Sequence, residues 1–219
     1  MGRKTRKEAE ATRERILDSA EELFATDGVS SVTLTRIARH AGVTTGALYG
    51  HFDDKNELLC ALFARAHGPV SANVEAFLST EAGNDTMLSL EEFVLRLFDE
   101  IVCDQHRTCL FRIVLTHMEM TTQNVLTEPY REAMARLKAA LRHGIDIFNS
   151  GRPPSHHLQH ESTATFLVTQ LIGSLRLSFL EGNTERSRRS ARRNISAAVA
   201  AISCVEVASR LAGTTVGSG

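Results

Sequence analysis

At 219 residues, with 42% hydrophobic residues and four prolines, the chain is long enough for one large domain or two small ones and apolar enough to bury a core. Its formal net charge is −1, and the first 63 residues carry nine Lys and Arg against ten Asp and Glu, so charge balance alone does not announce a nucleic-acid binder. Four cysteines (Cys60, Cys103, Cys109, Cys204) lack CxxC spacing and disulfide-scaffold density, which favours free thiols in a reducing cytoplasm, and no uninterrupted apolar run approaches the ~20 residues that cross a bilayer.

The chain opens with a basic arm, MGRKTRK, whose Arg3, Lys4, Arg6 and Lys7 suit DNA phosphates or a minor groove. The arm leads into charged helix and not into an apolar export leader. A first helix is predicted from Glu8 to Thr26, with Ile16, Leu17, Ala20, Leu23 and Phe24 as its apolar stripe and Asp27-Gly28 as its end. Next, Leu34, Ile37, Ala38 and Ala41 stand at i, i+3, i+4 and i+7, one face of a short helix capped by Thr33. Gly42 can take the left-handed conformation that stops it. Thr44 or Thr45 can cap a second short helix that turns Ala47, Leu48 and Phe52 inward. Two short helices about a Gly-containing turn make a helix-turn-helix, whose second helix enters a DNA major groove.

The polar residues of this stretch are the candidate DNA contacts. Gly46 and Ala47 let the backbone approach the groove, and Thr44 and Thr45 offer hydroxyl and methyl groups to phosphates and bases. Thr33, Tyr49 and His51 can donate to phosphate oxygens, and Arg36 is the better placed of the two arginines on the preceding helix. Asp54 with Glu57 has capping-box spacing, which sets Lys55 at a helix N-terminus, where a phosphate is favoured. From there Leu58, Leu59, Leu62 and Phe63 lead a helix inward. A kink is expected at His67-Gly68-Pro69, with helix continuing to about Leu78.

Ser79–Leu88 reads as loop, with Gly83-Asn84-Asp85 in it, and Ser89-x-x-Glu92 as the cap of the next helix. Helices are expected around Phe93–Ile101 and Leu110–Met118, from Glu128-Pro129 to Phe148, from Leu158 to Glu181 and from Thr184 to Leu211. A turn carrying Gly151 and Pro153-Pro154 precedes Leu158, and GTTVGSG closes the chain. The last two helices are expected to supply a dimer interface: Phe166, Leu167, Leu171, Leu175, Phe179, Ile195, Val199, Ile202 and Val205 give apolar area, and Gly173, Ser174, Ala197, Ala198 and Ala201 are small enough for close approach. Dimerisation has a reason, because one short reading helix contacts too few bases and a C2 pair presents two of them. The run Arg186–Arg193 reads as a solvated helix start. His156-His157-x-x-His160 resembles a metal cluster, but it sits in a Pro-rich loop without a nearby Cys, and no metal or cofactor is expected.

The segment Thr12–Phe63 resembles the N-terminal domain of the TetR family of transcriptional repressors. The likeness is carried by Ile16, Ala20, Leu23-Phe24, Gly28, Thr33, Ile37-Ala38, Ala41-Gly42-Val43, Gly46, Leu48-Tyr49, His51-Phe52, Lys55 and Leu58. Its opening and GALYGHF look most like the AcrR-like subgroup that controls multidrug efflux genes. The resemblance implies an all-α fold of about nine helices: a helix-turn-helix DNA-binding domain over 8–66, an effector-binding and dimerisation domain over 67–212, and a tail at 213–219. It also implies Tyr49, His51 and Lys55 at phosphates and Thr45 and Gly46 at base edges. The resemblance implies that the C-terminal helices enclose a small apolar effector; from the residues themselves, and not carried over from the family, Phe93, Leu97, Phe111, Leu115, Met118, Met134 and Phe166 are the candidate lining and His117 and Gln170 the candidate polar contacts. Gly50 departs from the large aromatic that many relatives carry there. The implied protein is a cytoplasmic homodimer, nucleoid-associated when bound to operator DNA, with double-stranded DNA and a small molecule as partners and no membrane. Two readings of other classes stand beside it. An all-helical enzyme lacks a nucleophile elbow, phosphate loop or HExxH, and a ligand-blind DNA binder would have a solid C-terminal bundle.

Overall fold

A computed structural model of the chain describes residues 6–79, 86–120, 125–150, 153 and 157–213. Arg3, Lys4, Gly83-Asn84-Asp85, Gly151, Pro154, His156 and the tail from residue 214 lie outside the described residues, as do the side chains of Met118, Cys204 and Val205. Among the described residues the fold is all-α. The helices are α1 (Arg6–Asp27), α2 (Leu34–His40), α3 (Thr45–Tyr49), α4 (Lys55–Leu78), α5 (Thr86–Val102), α6 (Gln105–Met120), α7 (Thr127–Ser150), α8 (His160–Leu180) and α9 (Glu185–Gly213), with a one-turn 3-10 helix at Val29–Ser31. Helix α4 continues through Gly68-Pro69 to Leu78. Ser89, expected as a cap, lies inside α5, which starts three residues earlier. A Ser-x-x-Glu spacing also fits a helix interior, so the pattern alone could not place the start.

By its contacts the chain divides into two compact units, residues 1–68 with 105–131 and residues 69–104 with 132–219. In the first, α1 turns Ile16, Leu17 and Ala20 into a core shared by Ile37, Leu48, Phe52, Leu58 and Leu62, all essentially without solvent. Removing each large side chain from water contributes on the order of 1.5–3 kcal/mol, which is what holds helices too short to persist alone. Helix α6 packs on α1. Arg65 of α4 reaches across to α1, donating to Glu14 Oε2 (3.3 Å), Asp18 Oδ1 (2.7 Å) and Glu21 Oε2 (2.5 Å). The Glu21 carboxylate is buried, and its other oxygen lies 3.1 Å from His106 Nδ1 of α6.

In the second unit α8 packs on α9, and α5 packs on both. The α8–α9 corner needs two successive left-handed residues, Gly182 (φ 77°) and Asn183 (φ 52°). Asn is one of the few side chains that tolerates this conformation. Here Asn183 Nδ2 also donates to the Val102 carbonyl at the end of α5 (2.8 Å), and its Oδ1 accepts from Ser178 (3.1 Å). Buried Asn149 closes the segment before α8 by exchanging two hydrogen bonds with the Leu158 backbone.

The residues expected in a dimer face differ in burial. Leu167, Leu171, Leu175, Ile195, Val199 and Ile202 are buried within the unit, and Phe179 is half-buried. Outward-facing on α8 are Phe166 (39% exposed), Leu177 (54%) and Leu180 (82%). By length and composition α8 could cross a membrane. Apolar residues on more than one face, beside exposed Thr165, Thr169 and Arg176, equally suit a helix of a protein core with a second covered stripe.

Removing the Arg65 guanidinium would leave the Glu21 carboxylate buried without its cation. Arg65→Met is expected to lower stability by about 2 kcal/mol in urea titration, less than the ~3–5 kcal/mol of a fully buried pair because Arg65 keeps some solvent. An unchanged midpoint would show that the network contributes nothing.

Candidate nucleic-acid interface

The turn between α2 and α3 is built from local backbone chemistry. Thr33 Oγ1 accepts from the Arg36 N–H and so caps α2. At its other end Gly42 adopts φ 66°, its N–H donates to the Arg39 carbonyl (3.2 Å), and the Val43 N–H donates to the Ala38 carbonyl (3.0 Å). This nested pair is the Schellman arrangement, and it reverses the chain within three residues. Thr44, not Thr45, caps α3, its hydroxyl accepting from the Ala47 N–H at 3.1 Å. Leu48 is the one buried residue of α3. Phe52 follows it into the core, with the Arg13 guanidinium 5.3 Å over its ring.

Anchoring by a single leucine leaves the other face of α3 open. Thr44, Gly46, Tyr49 and Gly50 are exposed, and Thr45, Ala47 and His51 are half-buried. Tyr49, at 51% exposure, stands out among the large side chains of this unit. A Cβ built on Gly46 would meet nothing within 4 Å, so this surface can admit another molecule close to the backbone. Thr33, also exposed, joins it from the start of α2.

Two expected phosphate ligands are engaged internally. The Arg36 guanidinium pairs with Asp27 at 2.5 Å. Lys55 Nζ donates to the carbonyls of Val29 (2.9 Å) and Val32 (3.2 Å), strapping the start of α4 to the segment before α2. Its place at the head of α4 is as expected: Asp54 Oδ1 accepts from the Glu57 N–H (2.8 Å), and Glu57 reaches back to the Asp53 N–H (2.6 Å). The strap itself was not foreseeable, because its acceptors are backbone carbonyls more than twenty residues away.

The expected effector residues divide between the units. Phe93 and Leu97 are buried in the second, where Phe93 stacks on Phe77 with centroids 4.0 Å apart; Met134 and Gln170 are half-buried there, and Phe166 is exposed. Phe111, Leu115 and His117 lie on α6 in the first unit, the former two half-buried. His117 lines a cleft of ≈ 430 Å³ with Phe24, Ala25, Gly28–Ser31, Arg112, Ile113 and Thr116. Burial, and then the charge of Lys55, hold its imidazole below the ordinary pKa.

Asp18, Glu21 and His106 approach closely enough to share a metal ion, but the Arg65 guanidinium already bridges the two carboxylates. His160 is committed to Asp146 (3.2 Å) and Asn149 (2.9 Å), and His157 is exposed. In the basic run, Arg188 donates to the Val102 carbonyl, Arg192 pairs with Asp99 and Arg189 with Glu185. Burial pushes the Cys60 and Cys109 thiols above their ordinary pKa, while Cys103 is exposed.

Residues 16–62 match the family model for bacterial regulatory proteins of the tetR family. Over 151 residues the chain is 31% identical to the HTH-type transcriptional regulator AcrR of Shigella flexneri, covering 67% of this chain and 70% of that one. A solved SmeT–triclosan complex is 27% identical, covers 87% of this chain and 91% of its own, and superposes with a TM-score of 0.74. A second SmeT structure, of the repressor of the Stenotrophomonas maltophilia multidrug efflux pump SmeDEF, is 28% identical with a TM-score of 0.69 over 88% of this chain and 91% of its own.

Replacing Lys55 by Met removes both carbonyl ties and is expected to cost about 1–3 kcal/mol of stability. Tyr49→Ala, an exposed truncation, should stay within about 0.5 kcal/mol. Equal unfolding midpoints for the two variants would refute the strap.

Proposed function

Because the chain belongs to the TetR family of bacterial regulatory proteins, a family of DNA-binding regulators and not of enzymes, we propose that it is a homodimeric repressor of a multidrug efflux operon, released from its operator by a small apolar or amphipathic effector. The observation that carries the DNA half is the exposed outer face of α3, held by Leu48 alone behind it. Thr45 and Gly46 read base edges, and Thr33, Thr44, Tyr49 and His51 fix the register on phosphates. Arg36 and Lys55 act first by holding the reading head together. The efflux assignment draws on the relatives: SmeT is described as an efflux-pump repressor and has been solved with triclosan. Operator and effector act in the cytoplasm, with the dimer on the nucleoid when bound.

A helix of five residues contacts few bases, so a second copy is needed about a helical turn or more (~34 Å) along the duplex. The α8 face supports that pairing. Phe166, Gln170, Gly173, Leu177 and Leu180 recur at the 3-4 spacing of a packing seam. A Cβ on Gly173 would meet nothing within 4 Å, which leaves room for another helix to come close. Exposed Ala197, Ala200 and Ala201 offer a comparable small-residue surface on α9, and two copies of each helix would form a four-helix interface. The effector must bind the released conformation better than the operator-bound one, since mere binding shifts nothing.

Fluorescence anisotropy on the DNA upstream of the gene tests the reading. Tyr49→Ala should weaken operator and random duplex alike, by about tenfold each. Thr45→Ala should instead change the ratio between the operator and its single-base variants. If neither variant alters affinity, α3 is not the reading helix. Leu177→Glu with Leu180→Glu should yield a monomer in sedimentation and lower operator affinity at least a hundredfold, whereas a wild-type chain that sediments as a monomer at micromolar concentration would contradict the pairing.

A further inference from the structure

The cleft beside the reading head is used neither by the outer face of α3 nor by the α8 seam. Its floor is Phe24, Val29 and Ile113, each less than a tenth exposed. Its rim is hydroxyl and cation: Ser30 and Ser31 from the 3-10 turn, Thr116 and Arg112 from α6. His117 is on the wall, its imidazole held below the ordinary pKa by burial and then by the charge of Lys55. Among the described residues that line it there is no carboxylate, and two cations, Arg112 and Lys55, act on this space. Ligand sites combine an apolar surface with a few polar groups that fix orientation. An exposed guanidinium above an apolar floor selects a head group it can grip through two parallel hydrogen bonds.

We propose that this cleft binds a small amphipathic monoanion, an aryl or short-chain carboxylate, with its apolar body on Phe24, Val29 and Ile113 and its carboxylate on Arg112, and that occupancy changes DNA affinity. The route to DNA is covalent and short. Val29 is both floor and acceptor for Lys55, Val32 is the second acceptor, and Val32 precedes Thr33, the cap of α2. A ligand wedged against Val29 works on the segment that strap holds. The site stands on its own geometry; its coupling rests on the DNA-binding reading.

The probes are 2-naphthoate and its neutral amide, 2-naphthamide, titrated calorimetrically into the full chain. The carboxylate should bind at least tenfold more tightly than the amide. Arg112→Gln should remove that preference, and Thr116→Trp, which fills the cleft from its rim, should weaken both probes at least tenfold. In anisotropy, 2-naphthoate should shift wild-type operator affinity at least threefold. Equal affinity for the two probes, no binding of either, or binding indifferent to both substitutions would overturn the site. Charge-selective binding without any change in operator affinity would overturn the coupling. Calorimetry needs no DNA, so a chain that takes up 2-naphthoate selectively but ignores duplex would uphold this site and sink the repressor reading instead.

Discussion

A helix of five residues has almost no stability of its own, because nucleation fixes more dihedrals than its few hydrogen bonds recover. The first unit is arranged around that constraint. Leu48 is the anchor, Phe52 the second point of attachment, and α1 the platform beneath them. The Schellman turn at Gly42 sets the angle at which α3 leaves α2, and the Lys55 strap fixes the segment from which α2 begins. Because so few side chains of α3 are spent on holding it, the remainder can face another molecule. A longer, more deeply packed helix would be steadier and would have less surface to offer.

Helix α8 carries the corresponding constraint in the second unit. Its apolar residues reach beyond the buried face, so one contact does not cover them all. Its inner face is covered by α9 and α5, and Phe166, Leu177 and Leu180 remain outside. Such a face offers apolar area that a second copy of the helix would cover in the proposed dimer. The left-handed corner at Gly182-Asn183 fixes how α8 turns into α9, with Asn183 tied to the end of α5.

The residues that sequence reading placed well are those whose chemistry is local. Thr33 and Thr44 as caps, Gly42 as a left-handed stop, and Asp54 with Glu57 as a capping box all depend on neighbours within four positions. Where distant partners decide, the sequence was silent. Lys55 shows a helix-start lysine but not the carbonyls of Val29 and Val32. Nothing in the spacing of α6 shows that it packs with α1, so His117 was expected in an effector pocket and stands instead in the cleft near Lys55. Helix α8 shows why phase matters: with apolar residues on more than one face, Leu167, Leu171 and Leu175 could not be told from Phe166, Leu177 and Leu180 as inner or outer. The α3 surface was legible as a set of residue types; that Arg36 and Lys55 are braces within the unit was not.

The proposed repressor action requires α3 to lie against base edges, twice, on one side of a duplex. Hydroxyl-radical and methylation-protection footprinting of the wild-type chain on its upstream DNA reads that arrangement directly. The account predicts two patches of major-groove guanine protection centred one or more helical turns apart on the same face of the duplex, both lost when an effector is added. Protection confined to the minor groove, a single patch that stays unpaired at saturation, or uniform coverage without helical phase would contradict it.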